Sequence, residues 1–446
     1  MNNSKSSDDK ALASRYWILA LLTMVYALSV LDRYLLGIVL PQIKAEMALS
    51  DTALGLLSGM AFAIFYATLA LPIAHLADRS SRKKIIVFSL LTFSLMTALC
   101  GLAKNFIALL ITRMGVGVGE AGTSPPSYSM ISDLFEKDKR STAMTFFFIG
   151  SNVGVLAGFI AGGYVAAQYG WREAFFMAGV PGLILVPLLL MTLREPSRGL
   201  SDKLTHSSEA TKSSLMETIR FVLSQASYRH LVMGHGILLF IMNGVIVWLP
   251  SFLERTHGMA ADSAGLQMGL ALGLGGPIGM LVVSRLADRY TRRDLRWGTW
   301  VVAIGSSVLI PGYVLVLVAP TGSWAIAAFL IPAVMGVFYA GPGTALSQAL
   351  TPPHMRTTSG AIYLMITNLI GLGLGPLGYG LLSDALSGMF GSESLRYALG
   401  VSPLLVLWGA YHYLCAGRRL EFGVQRAEQY VGNELPKESS ISEHTK

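Results

Sequence analysis

Charge is the scarcest commodity in this sequence. Only 13% of the 446 residues are Asp, Glu, Lys or Arg, while 53% are hydrophobic. A soluble domain carries roughly twice that share of charge, and one soluble core could not bury apolar blocks that recur along the whole length. Cysteine is nearly absent. Cys100 and Cys415 lie far apart in apolar surroundings, which excludes a disulfide framework or a cysteine metal site. His75 and His235 have no partner at metal-ligand spacing, so no metal is expected. No Walker A pattern or other nucleotide site is present, and no cofactor is implied. No nucleophile–base pair stands out, so the chain is not expected to be an enzyme. The opening residues MNNSKSSDDK lack the apolar stretch of a signal peptide, so the first helix is expected to be retained as an anchor.

What the sequence does have is long apolar runs. A spanning helix needs about 20 mostly apolar residues. Twelve such segments are read at 16–41, 52–76, 84–103, 106–131, 141–168, 173–193, 229–250, 263–286, 297–318, 323–350, 358–384 and 396–416. The expected fold class is therefore all-α integral membrane protein, with twelve transmembrane helices in two pseudo-symmetric six-helix bundles.

The net charge of +8 does not point to nucleic acid, because the basic residues alternate between loops. One set of connections holds Arg79, Arg82, Lys83 and Lys84, then Lys137, Lys139 and Arg140, then Arg289, Arg292, Arg293 and Arg296, and finally Arg418 and Arg419. The alternate set holds only Lys44, Lys104, Arg172, Arg255 and Arg396. By the positive-inside rule both termini are expected in the cytoplasm, and short loops suggest a bacterial inner membrane. The expected divisions are a terminal segment 1–15, a bundle 16–193, a linker 194–228 containing SDKLTHSSEATKSS, a second bundle 229–416 and a charged, poorly ordered tail 417–446. A monomer is expected.

The halves repeat each other. LADRSSRK at 76–83 matches LADRYTRR at 286–293, each after the second helix of its half. Arg140 and Asn152 stand twelve apart at the fifth helix, as Arg356 and Asn368 do in the second half. Parallel six-helix repeats place a substrate path between two bundles.

These loops resemble the signature of the major facilitator superfamily, over about Tyr16 to Cys415. Ala74 and Ser81 stand where that loop usually has glycine, and the fifth helix lacks the Gly-Pro step of the antiporter motif. The stretches GVGEAGTSPPSYSMISDLF at 117–135 and LDRYLLGIVLP at 31–41 are similar to the spinster-like branch. That resemblance implies proton-linked movement of lysophospholipid- or sphingolipid-like molecules. The runner-up is transport of a small organic anion or drug-like molecule.

Ionisable residues inside a spanning helix are expensive and are functional candidates by default. Four occur, all in the first half: Asp32, Arg33, Arg113 and Glu120. Counting rise along the helices puts Asp32, Arg33 and Arg113 at a common depth, roughly 10–14 Å below the outer surface, with Glu120 about 10 Å deeper. Desolvation favours a neutral acid and a nearby arginine favours a carboxylate. Glu120 is therefore the first candidate for proton coupling and Asp32 the second. Arg33 and Arg113 suit an anionic head group, with Tyr128, Asn243, Tyr363 and Asn368 as further substrate candidates. The alternative is a permanently paired cluster that locks the bundle. Asp78, Arg79, Asp133, Asp288 and Arg289 are the gating candidates at the basic loops. The glycine rows Gly150, Gly154, Gly158, Gly162 and Gly265, Gly269, Gly273 are read as facing each other across the central interface. Pro125-Pro126 is expected to break the fourth helix below Glu120. The expected partners are the bilayer, protons and an amphipathic small molecule.

Overall fold

The computed structural model describes residues 12–200, 214–291, 294, 296–336 and 338–434. Every element in them is helical. In the first half α1 is Arg15–Met47, α2 Asp51–Ala77, α3 Arg82–Cys100, α4 Phe106–Leu134, α5 Lys137–Tyr169 and α6 Trp171–Thr192. In the second half α7 is Ala226–His257, α8 Ala261–Thr291, α9 Trp297–Val318, α10 Gly322–Ala349, α11 residues 356–390 and α12 Ser402–Arg418. Helix therefore covers each of the twelve expected segments, in two groups of six, and ten helices among the described residues are long and apolar enough to cross a membrane. The start of α1 and the end of α12 share one face of the molecule, called here the termini face. The opposite end is the far face.

The connections are partly helical, and the expectation of a poorly ordered tail is corrected. Within the linker, Leu215–Ser224 is a helix. Its start is a capping box, in which the Ser214 backbone N–H donates to Glu217, so two amides with no intrahelical partner are satisfied locally. Thr218, Phe221 and Val222 are buried, while Leu215 and Met216 are exposed. The linker residues 201–213 fall outside the described residues. The tail is also structured at first, as helix Leu420–Glu434. Tyr430 on it donates to Glu217 at 2.7 Å and packs edge-on against Phe221. These aromatic contacts give a polar sequence the burial it needs to hold a helix.

Glycine places the helices, though not all as expected. A side chain at Gly150, Gly154 or Gly158 would strike the carbonyls of Thr23, Ala27 or Leu31 at 2.4–2.8 Å. These residues pack α5 onto α1 inside the first half, not across the centre. The crossing between halves uses the other face of α5. There Gly163 meets Ala261 and Gly265, while Gly265, Gly269 and Gly273 of α8 meet Phe159, Ile160 and Leu156. A second crossing joins α2 to α11, where Gly55 abuts Pro376 and Gly59 abuts Gly373. Both helices carry a π-helical turn here, Leu56–Met60 and Leu369–Leu374. Such wider turns leave carbonyls without regular partners and often mark functional positions.

Candidate functional site

The four intramembrane charges meet as two ion pairs. The α4 segment that carries Arg113 and Glu120 ends at Glu120, and its continuation restarts at Ser124. Pro125 and Pro126 occupy the first turn of that continuation, where a missing N–H costs nothing. The break sets Glu120 at a helix end beside α1. Its Oε2 accepts from Ser29 Oγ at 2.7 Å, from Arg33 Nε at 2.7 Å and from Arg33 Nη2 at 2.6 Å. Its Oε1 is buried with no hydrogen-bond partner among the described residues. Asp32 points the other way around α1. It accepts from Arg113 Nη1 at 2.6 Å and from Thr97 Oγ1 of α3 at 2.8 Å.

Sequence spacing suggested that Glu120 stood apart from any arginine. The structure places Arg33 directly on it, because one turn of α1 presents Ser29 and Arg33 to α4 together. Asp32 and Arg113 do lie at one depth, in contact.

The pairs differ in exposure. Asp32 and Arg113 are each about 2% exposed, whereas the Arg33 side chain is 23% exposed and Glu120 is 0%. Arg33 is thus the more exposed of the two arginines that line the cavity. Its guanidinium lies 4.5 Å from the Tyr66 ring centre and 4.9 Å from that of Phe62, a cation–π seat that holds it in place.

The cavity has a volume of about 220 Å³ and lies between the halves. Tyr26, Arg33, Phe62 and Arg113 line it from the first half, and Asn243, Val247 and Pro376 from the second. Of the residues expected to contact substrate, Arg33, Arg113 and Asn243 line it. Tyr128, Tyr363 and Asn368 are not among the lining residues. Tyr128 packs on Phe147 and Phe148. Tyr363 is buried and bonded to His235 Nδ1 at 2.7 Å. No group of three or more potential metal ligands occurs among the described residues.

The far face carries a contact between halves that the sequence did not single out. Asp51, at the start of α2, is paired with Arg255 of α7 and Lys44 of α1. Ser383 of α11 donates to it at 2.6 Å. Asp384 accepts from the backbone N–H groups of Asp51 and Thr52 at 3.0 and 2.7 Å, an anion seated on a helix N-terminus contributed by the other half.

On the termini face, Asp133 is paired with Arg82, and Arg82 also reaches Ser129 and the carbonyl of Pro196. Glu195 accepts from Ser81 Oγ and from the Arg82 and Lys83 backbone. These bonds staple α3, α4 and the chain after α6 within one half. Arg79 is exposed. The side chains of Asp78, Asp288 and Arg289 fall outside the described residues. Each of the repeated arginines donates to a preceding main-chain carbonyl, Arg140 Nη2 to Ser132 and Arg356 Nε to Thr351.

Two six-helix halves, locked at one end and enclosing a charged cavity, define a membrane transporter. Residues 22–376 match the sequence pattern of the Major Facilitator Superfamily, and the chain belongs to it. Within that family it is similar to Spinster-type proteins. It is 31% identical to an MFS-type efflux pump of Mycolicibacterium smegmatis, over 91% of this chain and 93% of that protein. It is 27% identical to protein spinster homolog 1 of Xenopus tropicalis, over 96% of this chain and 85% of that one. A solved bacterial homolog of the human lysosomal transporter Spinster has an inward-facing occupied and an inward-facing unoccupied form. These match with TM-scores of 0.79 and 0.81, at 28% identity, over 92% of this chain and 98% of theirs.

Proposed function

We propose that the chain is a proton-coupled secondary transporter of an amphipathic, anionic, lipid-like substrate, working by alternating access in a bacterial inner membrane with both termini in the cytoplasm. The observation that carries this reading is the partly exposed Arg33 on the cavity wall, neutralised by a fully buried Glu120. While Glu120 is ionised, Arg33 has its partner. A proton on Glu120 Oε1, the oxygen without a hydrogen bond, discharges the carboxylate. Arg33 then offers two parallel N–H donors to a phosphate or carboxylate in the cavity. Loss of the proton restores the pair and drives the anion out. The linkage needs no movement of Arg113, which Asp32 holds in place.

The basic loops of the termini face support the orientation. Spinster-type relatives and the phenyl and phenol rings beside Arg33 support a head group with an apolar neighbour. A second reading, transport of a small organic anion, is favoured by one observation. The cavity, at about 220 Å³, takes a head group but not a whole lipid.

Flux in proteoliposomes tests both. The unaltered protein is expected to move a lysophospholipid in response to an imposed pH gradient. Glu120→Gln is expected to keep head-group binding at high pH but to lose the gradient response. A pH-driven flux that survives Glu120→Gln overturns the coupling. Flux of small anions with none of lysolipid selects the second reading.

A further inference from the structure

A basic hollow lies well away from the central cavity, on the termini face, where α7 begins and α12 ends. Its volume is about 390 Å³, and Gln225, Ala226, Arg418, Arg419, Phe422 and Arg426 line it. The three guanidiniums are exposed and none makes an ion pair among the described residues. The nearby Glu421 does not neutralise them, because it is bound to Arg296 at 2.5 Å. Arg426 is held over the Phe221 ring at 5.7 Å.

The 32-residue helix α7 adds its own partial charge. Its first intrahelical bond runs from Arg229 N–H to the Gln225 carbonyl at 3.1 Å. The amides of Ala226 and Ser227 precede that bond, and both residues line the hollow. Helix N-termini with unbonded amides favour anions.

Gln225 supplies an independent sign of a ligand. Its side chain is 3% exposed, and its Nε2 donates to the Leu350 carbonyl at 2.9 Å. Its Oε1 has no partner. A buried amide oxygen without a donor is costly. A ligand that carries a hydroxyl beside its anionic group would supply that donor.

The bilayer is the source. On α12, Leu407, Tyr411 and Leu414 are exposed in one row, the face that lipid tails cover. Arg418 continues that row one turn later, at interfacial depth, and Phe422 stands 72% exposed on the lip. We propose that this hollow binds the head group of a phosphatidylglycerol molecule from the adjoining leaflet. Its phosphate would sit among Arg418, Arg419, Arg426 and the α7 amides, and a glycerol hydroxyl would donate to Gln225 Oε1.

Lipid titration of the full chain, followed by native mass spectrometry, tests this without reference to transport. Phosphatidylglycerol is expected to bind the unaltered protein far more tightly than phosphatidylcholine. It should also bind roughly fivefold more tightly than phosphatidylmethanol, which has the same charge and no hydroxyl. The triple variant R418Q/R419Q/R426Q is expected to weaken phosphatidylglycerol binding roughly a hundredfold, while Lys104→Gln leaves it unchanged. Equal binding of phosphatidylcholine overturns the site. Displacement of the lipid by equimolar inorganic phosphate overturns the lipid as its occupant. Phosphatidylmethanol binding as tightly as phosphatidylglycerol overturns the role given to Gln225. The comparisons among lipids need only the unaltered protein, so poor folding of the variant cannot obscure the answer.

Discussion

Asp51 and Arg255 form a two-pronged ion pair across the halves, with Arg255 Nη1 and Nη2 each 2.7 Å from one carboxylate oxygen. Asp51 is 2% exposed, and it also binds Lys44 and Ser383. One side chain therefore joins α1, α2, α7 and α11 at the far face and bridges the halves there. To expose the cavity on that face, this cluster must come apart.

Asp51→Asn leaves Arg255 and Lys44 without their counter-charge. Truncating one member of a desolvated charge pair costs about 2–5 kcal/mol. Part of that is recovered here, because Lys44 and Arg255 keep some solvent contact. Hydrogen exchange at the start of α2 and the end of α11 is expected to accelerate at least tenfold, with little change in α3 or α9. Unchanged protection at 51–55 and 376–384 would remove the lock from the account.

Asp32 and Arg113 are buried together, so breaking one is worse than removing both. Asp32→Asn strands a guanidinium that is about 2% exposed, and such losses cost about 3–5 kcal/mol. The double variant Asp32→Asn/Arg113→Gln is expected to regain much of the lost thermal stability in detergent. If the double variant melts no higher than the single one, the pair is not acting as a unit.

Close approach of α5 to α1 is a steric requirement at Gly154. A Cβ there would lie 2.4 Å from the Ala27 carbonyl oxygen, and backbone cannot turn aside. Gly154→Val is expected to lower stability by about 1–3 kcal/mol and to impair transport, since the same stretch of α1 presents Ser29 and Arg33. Gly276→Val, where a Cβ meets nothing within 4 Å, is the matched control. Melting points of the two variants, measured side by side, should separate clearly. Equal melting points would mean that α1 and α5 can part without penalty.

Acid should loosen the staple on the termini face. Burial tends to raise the Glu195 carboxyl, but hydrogen bonds from Ser81, the Arg82 and Lys83 backbone and the Arg82 side chain outweigh it and hold the group below its ordinary 4.5. A depressed carboxyl stabilises the fold fully above its unfolded value, and that stabilisation disappears as pH falls through the folded one. The melting point should therefore fall as pH drops below about 4.5, the ordinary carboxyl value. Glu195→Gln should melt lower at neutral pH and show a flatter acid limb. An acid limb unchanged by the substitution would assign the effect to other carboxyls.

Much of the architecture was legible because a bilayer imposes simple rules on a chain. Apolar runs of spanning length, alternating basic loops and the 76–83 and 286–293 repeats are all local patterns, and each maps directly onto helices and halves. The break at Pro125-Pro126 was legible for the same reason, since a missing N–H acts on its own helix. The charges inside the spanning helices could be named from sequence because ionisable residues are rare among apolar ones.

Which charge meets which was not legible. Arg33 and Asp32 are neighbours in the chain, yet α1 turns one to Glu120 and the other to Arg113. That outcome depends on the rotation of α1 against α3 and α4, set by contacts such as Gly154 on Ala27 and Thr97 on Asp32. The glycine rows looked alike along the chain, but only packing assigned one to α1 and the other to the crossing between halves. Asp51 and Gln225 looked like ordinary polar residues at helix ends. Helical periodicity, hydrophobicity and loop charge are properties of short stretches, so the sequence alone determined the apolar spans, the repeat and the charges inside them. Pairing and exposure arise from residues 81 and 87 positions apart, and the far-face lock from residues 204 to 333 apart, so only the tertiary structure could bring them together.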